Sequence, residues 1–208
     1  AGFPCQPFSH AGKQKGFEDE GRGNMFYTII DILREKKPKY LLLENVANLR
    51  NHDNGRTWST IEKELHNVGY NTKDIILSPH QFGFPQHRKR IYIVGMRKDL
   101  FPNIINKEPS IDNICSMDFP WPKPKYVNAY TAFPWPNKVP FGTTPEKPKG
   151  IPMELCVESC LINAMELPNG KEFLELKKDV ESRKCIYEGD TKRRSFKRLH
   201  RYKFSPTT

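Results

Sequence analysis

Apolar residues recur at helical spacing in two segments of the first hundred residues. The first segment runs from Asn24 to Lys37, where Asn24 is a suitable N-cap and Lys36-Lys37-Pro38 closes the last turn. The second segment runs from Thr57 to Val68, and Gly69 follows it as a favourable C-cap. The positions that we expect to face inward are Met25, Phe26, Ile29, Ile30 and Leu33 in the first helix and Ile61, Leu65 and Val68 in the second.

Three apolar segments alternate with these helices and predict strands. Residues 40–43 are four consecutive apolar positions, which indicates burial on both faces, as in a parallel sheet. Residues 71–78 and 90–96 are also typical of strands, and residues 82–85 between them predict a turn. Strands that alternate with helices favour a doubly wound α/β sheet, in which ligands bind at the carboxyl ends of the strands.

The second half of the chain has a different character. Eleven of the 18 prolines lie between residues 101 and 152, which disfavours long helices and central strands there. We expect short helices near 153–166 and 170–180. Six aromatic residues scattered among these prolines either form the core of a small irregular domain or provide a surface for stacking on or probing DNA; they are Trp121, Tyr126, Tyr130, Phe133, Trp135 and Phe141. The pattern therefore predicts one domain over residues 1–100 and a second over 101–208.

Charge adds a preference for an anionic partner. The 208 residues carry a net charge of +10, with 16 Lys and Arg against 11 Asp and Glu in residues 1–100, and 18 against 13 in residues 101–208. Seven of the twelve residues 192–203 are basic and alternate with aromatic side chains, which is typical of a phosphate-contacting segment or of a solvated charged face. Charge alone leaves DNA, RNA and an anionic membrane open.

The cysteines and the hydropathy pattern indicate a soluble, cytoplasmic protein. The five cysteines form no regular disulfide framework, and no second Cys or His pair with zinc spacing accompanies Cys156 and Cys160, so we expect no metal site. No apolar run approaches the ~20 residues that a membrane span requires.

Cys5 is the first residue with candidate chemistry. It lies between Pro4 and Pro7, which exclude a regular helix, and a basic loop rich in glycine follows it. A lone thiol is often a small buried apolar group. Nearby positive charge instead stabilises a thiolate, so this setting also suits a nucleophile.

Glu44, Arg88 and Arg90 are the other candidates. Glu44 ends the apolar segment 40–43, and the two arginines precede the strand 90–96 at a spacing of two residues, which places both on one face of a strand. Individually, a glutamate that closes a strand is more often a solvated cap or part of an ion pair, and an Arg-x-Arg pair is more often a charged strand end.

Taken in order, four motifs resemble the DNA (cytosine-5) methyltransferases of bacterial or phage restriction-modification systems. They are Phe-Pro-Cys-Gln-Pro-Phe-Ser at 3–9, Arg-Gly-Asn-Met-Phe at 22–26, Glu-Asn-Val at 44–46, and Gln-x-Arg-x-Arg at 86–90 with the Ile-Tyr-Ile-Val-Gly that follows. The resemblance covers about the first 100 residues. The glycine-rich cofactor motif of this family precedes the Pro-Cys motif and its closing motifs follow residue 208, so we expect an isolated chain to bind cofactor poorly and to be inactive.

The resemblance implies the fold class and the activity. The fold would be α/β, an incomplete Rossmann-like methyltransferase sheet whose last two strands pair antiparallel, followed by a target-recognition domain. The activity would be methyl transfer from S-adenosylmethionine to carbon 5 of a flipped-out cytosine in double-stranded DNA, through a covalent Cys5 adduct. The alternatives are a cytosine-5 methyltransferase acting on RNA and a catalytically inactive DNA-binding fragment. The resemblance also implies a cognate restriction endonuclease as a partner and a full-length enzyme that is monomeric.

The resemblance also implies residue roles. Cys5 would be the nucleophile, Glu44 would bind N3 and the exocyclic amine of cytosine, Arg90 would bind its O2, and Arg88 would lie beside the thiolate and the flanking phosphate. Further contacts would come from Pro4 and Met25 to the cofactor and from Gln6, Ser9, Lys13 and Arg198 to DNA.

Overall fold

A computed structural model of the chain describes residues 1–3, 25–102, 119–140, 143, 145–161 and 199–206. The predictions for Pro4, Cys5, Gln6, Ser9, Lys13 and Arg198 lie outside the described residues. The chain divides into two compact units. Unit 1 comprises Ala1–Leu77 and Lys89–Lys123, and unit 2 comprises Ser78–Arg88 and Pro124–Thr208.

Unit 1 contains both predicted helices and all three predicted strands. Its elements are helix α1 (Met25–Lys36), strand β1 (Tyr40–Val46), helix α2 (Arg56–Asn67), strand β2 (Tyr70–Leu77) and strand β4 (Arg90–Arg97). Gly69 follows α2 with a φ of +94°, a left-handed conformation that suits glycine at a helix end. The sequence pattern therefore predicted both helices, β2 and β4 to within about a residue at each end, whereas β1 extends three residues beyond the predicted segment 40–43.

The sheet of unit 1 has the strand order β1-β4-β2, and β4 pairs antiparallel with both neighbours. The antiparallel pairing of the last two strands, β2 and β4, is confirmed. Beside the other edge of β1, Gly2 forms a parallel bridge with Glu44. The described fold is thus a mixture of helices and strands around a small antiparallel sheet.

The prediction that residues 40–43 are buried on both faces is wrong. Leu41 and Leu43 are buried, whereas Tyr40 is 55% exposed and Leu42 is 56% exposed. Side chains alternate across a strand, and the core to which both helices contribute lies on the side of Leu41 and Leu43. The buried side joins one core cluster with the inner residues of both helices, which are Phe26, Ile30 and Leu33 of α1 and Ile61 and Leu65 of α2.

The close approach of β1 and β4 depends on Gly95. A Cβ atom built at this position would lie 2.7 Å from Leu41 Cγ and 2.9 Å from Leu41 Cδ1. Carbon atoms in favourable contact are separated by about 3.5–4.0 Å, so any larger residue would displace Leu41.

Unit 2 has little regular structure in its described part, as the prolines predict. It contains the two-residue strand β3 (Gln86–His87) paired parallel with strand β5 (Ser205–Pro206), and the short helix α3 (Ala129–Ala132). Three single 3₁₀ turns complete its described elements, at Pro79–Phe82, Met153–Leu155 and Val157–Cys160.

The helix expected near 153–166 is wrong over its described part. Cys156 separates the last two 3₁₀ turns with an extended backbone (φ −100°, ψ 141°). The amides of Val157 and Glu158 donate to the carbonyls of Lys203 and Arg201, at 2.8 and 2.7 Å, instead of to carbonyls of their own turn. Residues 170–180 lie outside the described residues.

Several of the predicted core aromatics of unit 2 pack on one another. Phe204 lies 4.8 Å from the Trp135 ring and 5.4 Å from the Tyr130 ring, measured between centroids. Tyr126 and Trp135 both contact Phe133 edge-on. Within the described ranges, no helix is long and apolar enough to cross a membrane.

Candidate active site

Glu44 and Arg90 meet at one end of the sheet of unit 1. Glu44 lies near the end of β1 and Arg90 begins β4, with Val46 directly opposite Arg90 in the register. Residues two positions apart along a strand share a face, so Glu44 and Arg90 are diagonal neighbours. Arg90 Nε lies 2.9 Å from Glu44 Oε1, and the side chains of Arg90 and Glu44 are 12% and 43% exposed. The structure therefore pairs two of the predicted catalytic residues.

The N-terminal residues run beside this pair. The amide of Glu44 donates to the carbonyl of Ala1 at 3.0 Å, next to the parallel bridge between Gly2 and Glu44. Phe3 is buried and its ring centroid lies 5.6 Å from that of Phe26. Residues from three of the four sequence motifs, at positions 3, 26 and 44, thus come together with Arg90 from the fourth.

Asn45 connects the end of β1 to the N-terminal residues. Its side chain is 1% exposed, and its Nδ2 donates to the carbonyl of Phe3 at 3.3 Å. Its Oδ1 accepts the amide of Val46 at 2.8 Å. Sequence reasoning did not assign Asn45 a role, although a polar residue that follows an apolar strand inside a recognised motif was the available signal.

Arg88 belongs to unit 2 and has a different anchor. Its backbone amide donates to Ser78 Oγ at 2.9 Å, and Ser78 is 2% exposed. Ser78 Oγ also lies 2.9 Å from Nδ1 of the buried His80. The division between the units falls directly after Arg88, so the two arginines of one motif belong to different units.

Met25 does not face inward as predicted. It is the first residue of α1 and is 45% exposed, whereas the next residue, Phe26, is fully buried. Met25 therefore lies at the surface of unit 1, and the cofactor contact that the sequence resemblance implies for it stays a prediction.

The described end of the basic segment packs within unit 2. His200 is buried, and Arg201 Nη1 lies 3.8 Å from Glu158 Oε2. The carbonyls of Arg201 and Lys203 accept amides from residues 157–158. This part of the segment is therefore held by protein contacts.

Cys156 has the properties of a structural thiol. It is buried, and burial, assisted by the charge of Glu158, raises the pKa of Cys156 to about 11. A thiol with this pKa stays protonated near neutral pH and is a poor nucleophile. The other cysteine that the structure describes, Cys160, is exposed.

Comparison with known proteins gives bacterial methyltransferases as relatives. The chain is 50% identical over 121 residues to the Type II methyltransferase M.HaeII of Haemophilus aegyptius, covering 57% of this chain and 38% of that protein. It is 43% identical over 130 residues to the Type II methyltransferase M.HhaI of Haemophilus parahaemolyticus, covering 62% of this chain and 35% of that protein. The chain thus spans less than half the length of these curated relatives.

Two further comparisons are with a solved structure and with protein-family models, and the family model gives the assignment. The match to the crystal structure of the S. pombe Dnmt2 methyltransferase has 29% identity and a TM-score of 0.35, and covers 54% of this chain and 30% of that chain. A TM-score this low supports no argument about the fold. The family model described as C-5 cytosine-specific DNA methylase matches residues 1–147, well over half of the chain. The chain therefore belongs to the C-5 cytosine-specific DNA methylase family.

Proposed function

We propose that the protein methylates carbon 5 of cytosine in double-stranded DNA through a covalent adduct with Cys5. The observation that carries this proposal is the ion pair between Glu44 and Arg90 beside residues 1–3, which lead directly into the Pro4-Cys5 motif. A carboxylate and a guanidinium at the end of a sheet, next to the segment that precedes a cysteine, suit recognition and activation of one cytosine ring.

The proposed reaction requires a nucleophile because carbon 5 of cytosine is unreactive. The Cys5 thiolate adds to carbon 6, and the electron pair of the 5,6 double bond makes carbon 5 nucleophilic. After carbon 5 gains the methyl group, its proton leaves to a base. The electron pair of the broken bond between carbon 5 and this proton then restores the 5,6 double bond, and the Cys5 thiolate leaves carbon 6 with the electron pair of the C–S bond.

Glu44 and Arg90 would hold the ring during this addition. Glu44 would hydrogen-bond N3 and the exocyclic amine, and Arg90 would donate to O2, where negative charge develops. Arg90 already donates from Nε to Glu44 and from Nη1 to the carbonyl of Lys89 at 3.0 Å. Two bonds fix the plane of the guanidinium, and its five N–H groups provide further donors for the base.

S-adenosylmethionine would supply the electrophilic methyl group when bound. Of the two residues proposed to contact it, Pro4 and Met25, the exposed Met25 side chain is open to such a contact. DNA would be held by Gln6, Ser9, Lys13 and Arg198, with Arg88 on the phosphate that flanks the target, and the cytosine would leave the duplex at a cost of about a few kcal/mol.

The wider setting follows from the relatives named Type II methyltransferases. We propose that residues 1–100 belong to a catalytic domain built on an incomplete Rossmann-like methyltransferase sheet, and that residues 101–208 belong to a small irregular target-recognition domain. A restriction endonuclease of the same specificity would be the functional partner of a monomeric, cytoplasmic enzyme.

Covalent trapping tests the proposal. The whole protein that carries these residues is mixed with S-adenosylmethionine and a DNA duplex that contains 5-fluorocytosine at the target. Fluorine cannot leave as a proton would, so the enzyme–DNA adduct persists and appears as a shifted band in denaturing electrophoresis. We expect Cys5→Ser to abolish the adduct and Cys156→Ser, which changes the buried thiol, to retain it.

Three outcomes contradict the proposal in different ways. If the adduct still forms with the Cys5→Ser variant, another residue is the nucleophile. An adduct with a matched RNA and none with DNA supports the RNA methyltransferase instead. DNA binding without any adduct supports the alternative of a catalytically inactive DNA-binding protein.

A further inference from the structure

Ser78 has a buried hydroxyl with several hydrogen-bond partners in unit 2. It follows directly after β2, is 2% exposed, and begins the turn Pro79–Phe82. Its backbone amide donates to Gln81 Oε1 at 2.8 Å, and the amide of Gln81 donates to the Ser78 carbonyl at 3.0 Å. These bonds cap the turn and fix the backbone of Ser78.

The hydroxyl itself serves a residue ten positions later. The Arg88 amide can only donate, so Ser78 Oγ accepts this bond, and the same oxygen is hydrogen-bonded to His80 Nδ1 in a direction that the tautomer of His80 sets. The ring of His80 is buried and lies 4.8 Å from the ring of His87. The hydroxyl also accepts the backbone amide of Gln81 in a capping box, so three neighbours fix the position of its oxygen.

The residues just before Arg88 are held from another side. β3 pairs with β5, and the amide of Ser205 donates to the carbonyl of Pro85 at 2.7 Å. The His87 ring stacks on Tyr130 at 4.8 Å and contacts Phe204 at 5.6 Å. Ser78 thus completes a set of contacts that hold the backbone on the N-terminal side of Arg88.

We propose that Ser78 is a positioning residue that fixes the backbone from which the Arg88 side chain contacts DNA. This inference rests on the proposed role of Arg88. Ser78 lies outside the four motifs on which the sequence resemblance rests, and its contribution depends on a bond between residues ten positions apart. The hydroxyl acts through Arg88 and makes no contact with the reacting base.

Amide hydrogen exchange tests the anchor without any assay of activity. Ser78→Ala removes the acceptor of the Arg88 amide, and we expect exchange at that amide to accelerate about fivefold, as loss of one hydrogen bond predicts. Gln81→Ala is the matched control, because it removes a side-chain bond from the same turn and leaves Ser78 Oγ in place. An Arg88 amide that exchanges equally fast in the wild type and in Ser78→Ala overturns the proposal.

A double-mutant cycle tests whether the anchor serves function. In methyl transfer by the whole protein, we expect Ser78→Ala to lower kcat/KM about fivefold, Ser78→Thr to restore most of it, and Gln81→Ala to change it little. In an Arg88→Ala background, Ser78→Ala should cause no further loss, since the residue it positions is absent.

The possible failures are distinguishable. A full additional loss in the Arg88→Ala background would mean that Ser78 acts by general stability, which overturns the positioning role. If Arg88→Ala itself leaves methyl transfer and DNA binding unchanged, the assigned role of Arg88 fails, and with it the functional part of this inference.

Discussion

Replacement of Asn45 tests the two hydrogen bonds that its buried side-chain amide makes. Asn45→Ala removes the donor to the Phe3 carbonyl and the acceptor for the Val46 amide. The first bond is long at 3.3 Å, so its loss belongs at the lower end of the range for an unsatisfied buried group, about 1 kcal/mol. The second is 2.8 Å and its loss costs about 1–2 kcal/mol, which gives a total of about 2–3 kcal/mol.

Asn45→Asp makes the test sharper because it keeps the shape of the side chain. One carboxylate oxygen still accepts the Val46 amide, but the other replaces the donor and faces the Phe3 carbonyl. With the side chain 1% exposed, the charged form is penalised by both burial and this repulsion. We therefore expect Asn45→Asp to be less stable than Asn45→Ala at pH 7, and to recover as the pH falls and a protonated carboxyl can donate again.

Urea denaturation followed by circular dichroism at pH 7 and pH 5 measures both effects. Gly95→Ala is a suitable reference, since it destabilises the same sheet without touching Asn45 or Phe3. At equal loss of stability, the covalent trapping yield should fall further in Asn45→Ala, because only that variant releases the residues that lead into Cys5. An Asn45→Asp variant as stable as the wild type at pH 7 would refute the hydrogen bond to Phe3.

Three further predictions follow from packing, burial and charge. Gly95→Ala should lower the free energy of unfolding by about 1–3 kcal/mol. The double variant Gly95→Ala/Leu41→Ala should lose less stability than the sum of the losses in the two single variants, because removing the Leu41 side chain removes the clash at 2.7 Å. Losses that add strictly in denaturation experiments would contradict this. Burial raises the pKa of Glu62 above its ordinary value, so the folded state binds the proton more tightly than the unfolded state. Glu62→Gln should therefore increase stability at pH 7, with an advantage that shrinks as the pH falls through the raised folded pKa; a constant difference from pH 7 to pH 4 would refute it. Arg90→Lys keeps the charge but cannot reproduce the planar contact with Glu44, so kcat for methyl transfer should fall by about tenfold or more, and an unchanged kcat would remove Arg90 from the site.

Long-range contacts corrected the sequence predictions in specific places. The four apolar residues 40–43 indicated burial on both faces, yet which face is covered depends on where the helices pack, and Leu42 remains exposed. The expected helix near 153–166 was interrupted because amides 157 and 158 bond to carbonyls more than forty residues away. Met25 fits the helical pattern and is still exposed, since the inner stripe of α1 begins at Phe26.

The anchors of the site were the hardest features to predict. Ser78 and Asn45 are small polar residues at strand ends, where sequence patterns indicate ordinary turns. Their importance comes from burial and from partners ten and 42 positions away in the chain. A polar side chain shows its role only when its surroundings exclude water, and those surroundings are assembled by folding.

The sequence by itself determined the two amphipathic helices, the three strands of unit 1, the irregular character of residues 119–140 and 145–152, and the family. These properties are local: periodicity, proline content and short motifs depend on neighbouring residues. Only the tertiary structure decided that Glu44 contacts Arg90, that Asn45 holds Phe3, and that Ser78 holds Arg88. Those contacts depend on strand register and burial, and both arise when distant segments exclude water from a common core.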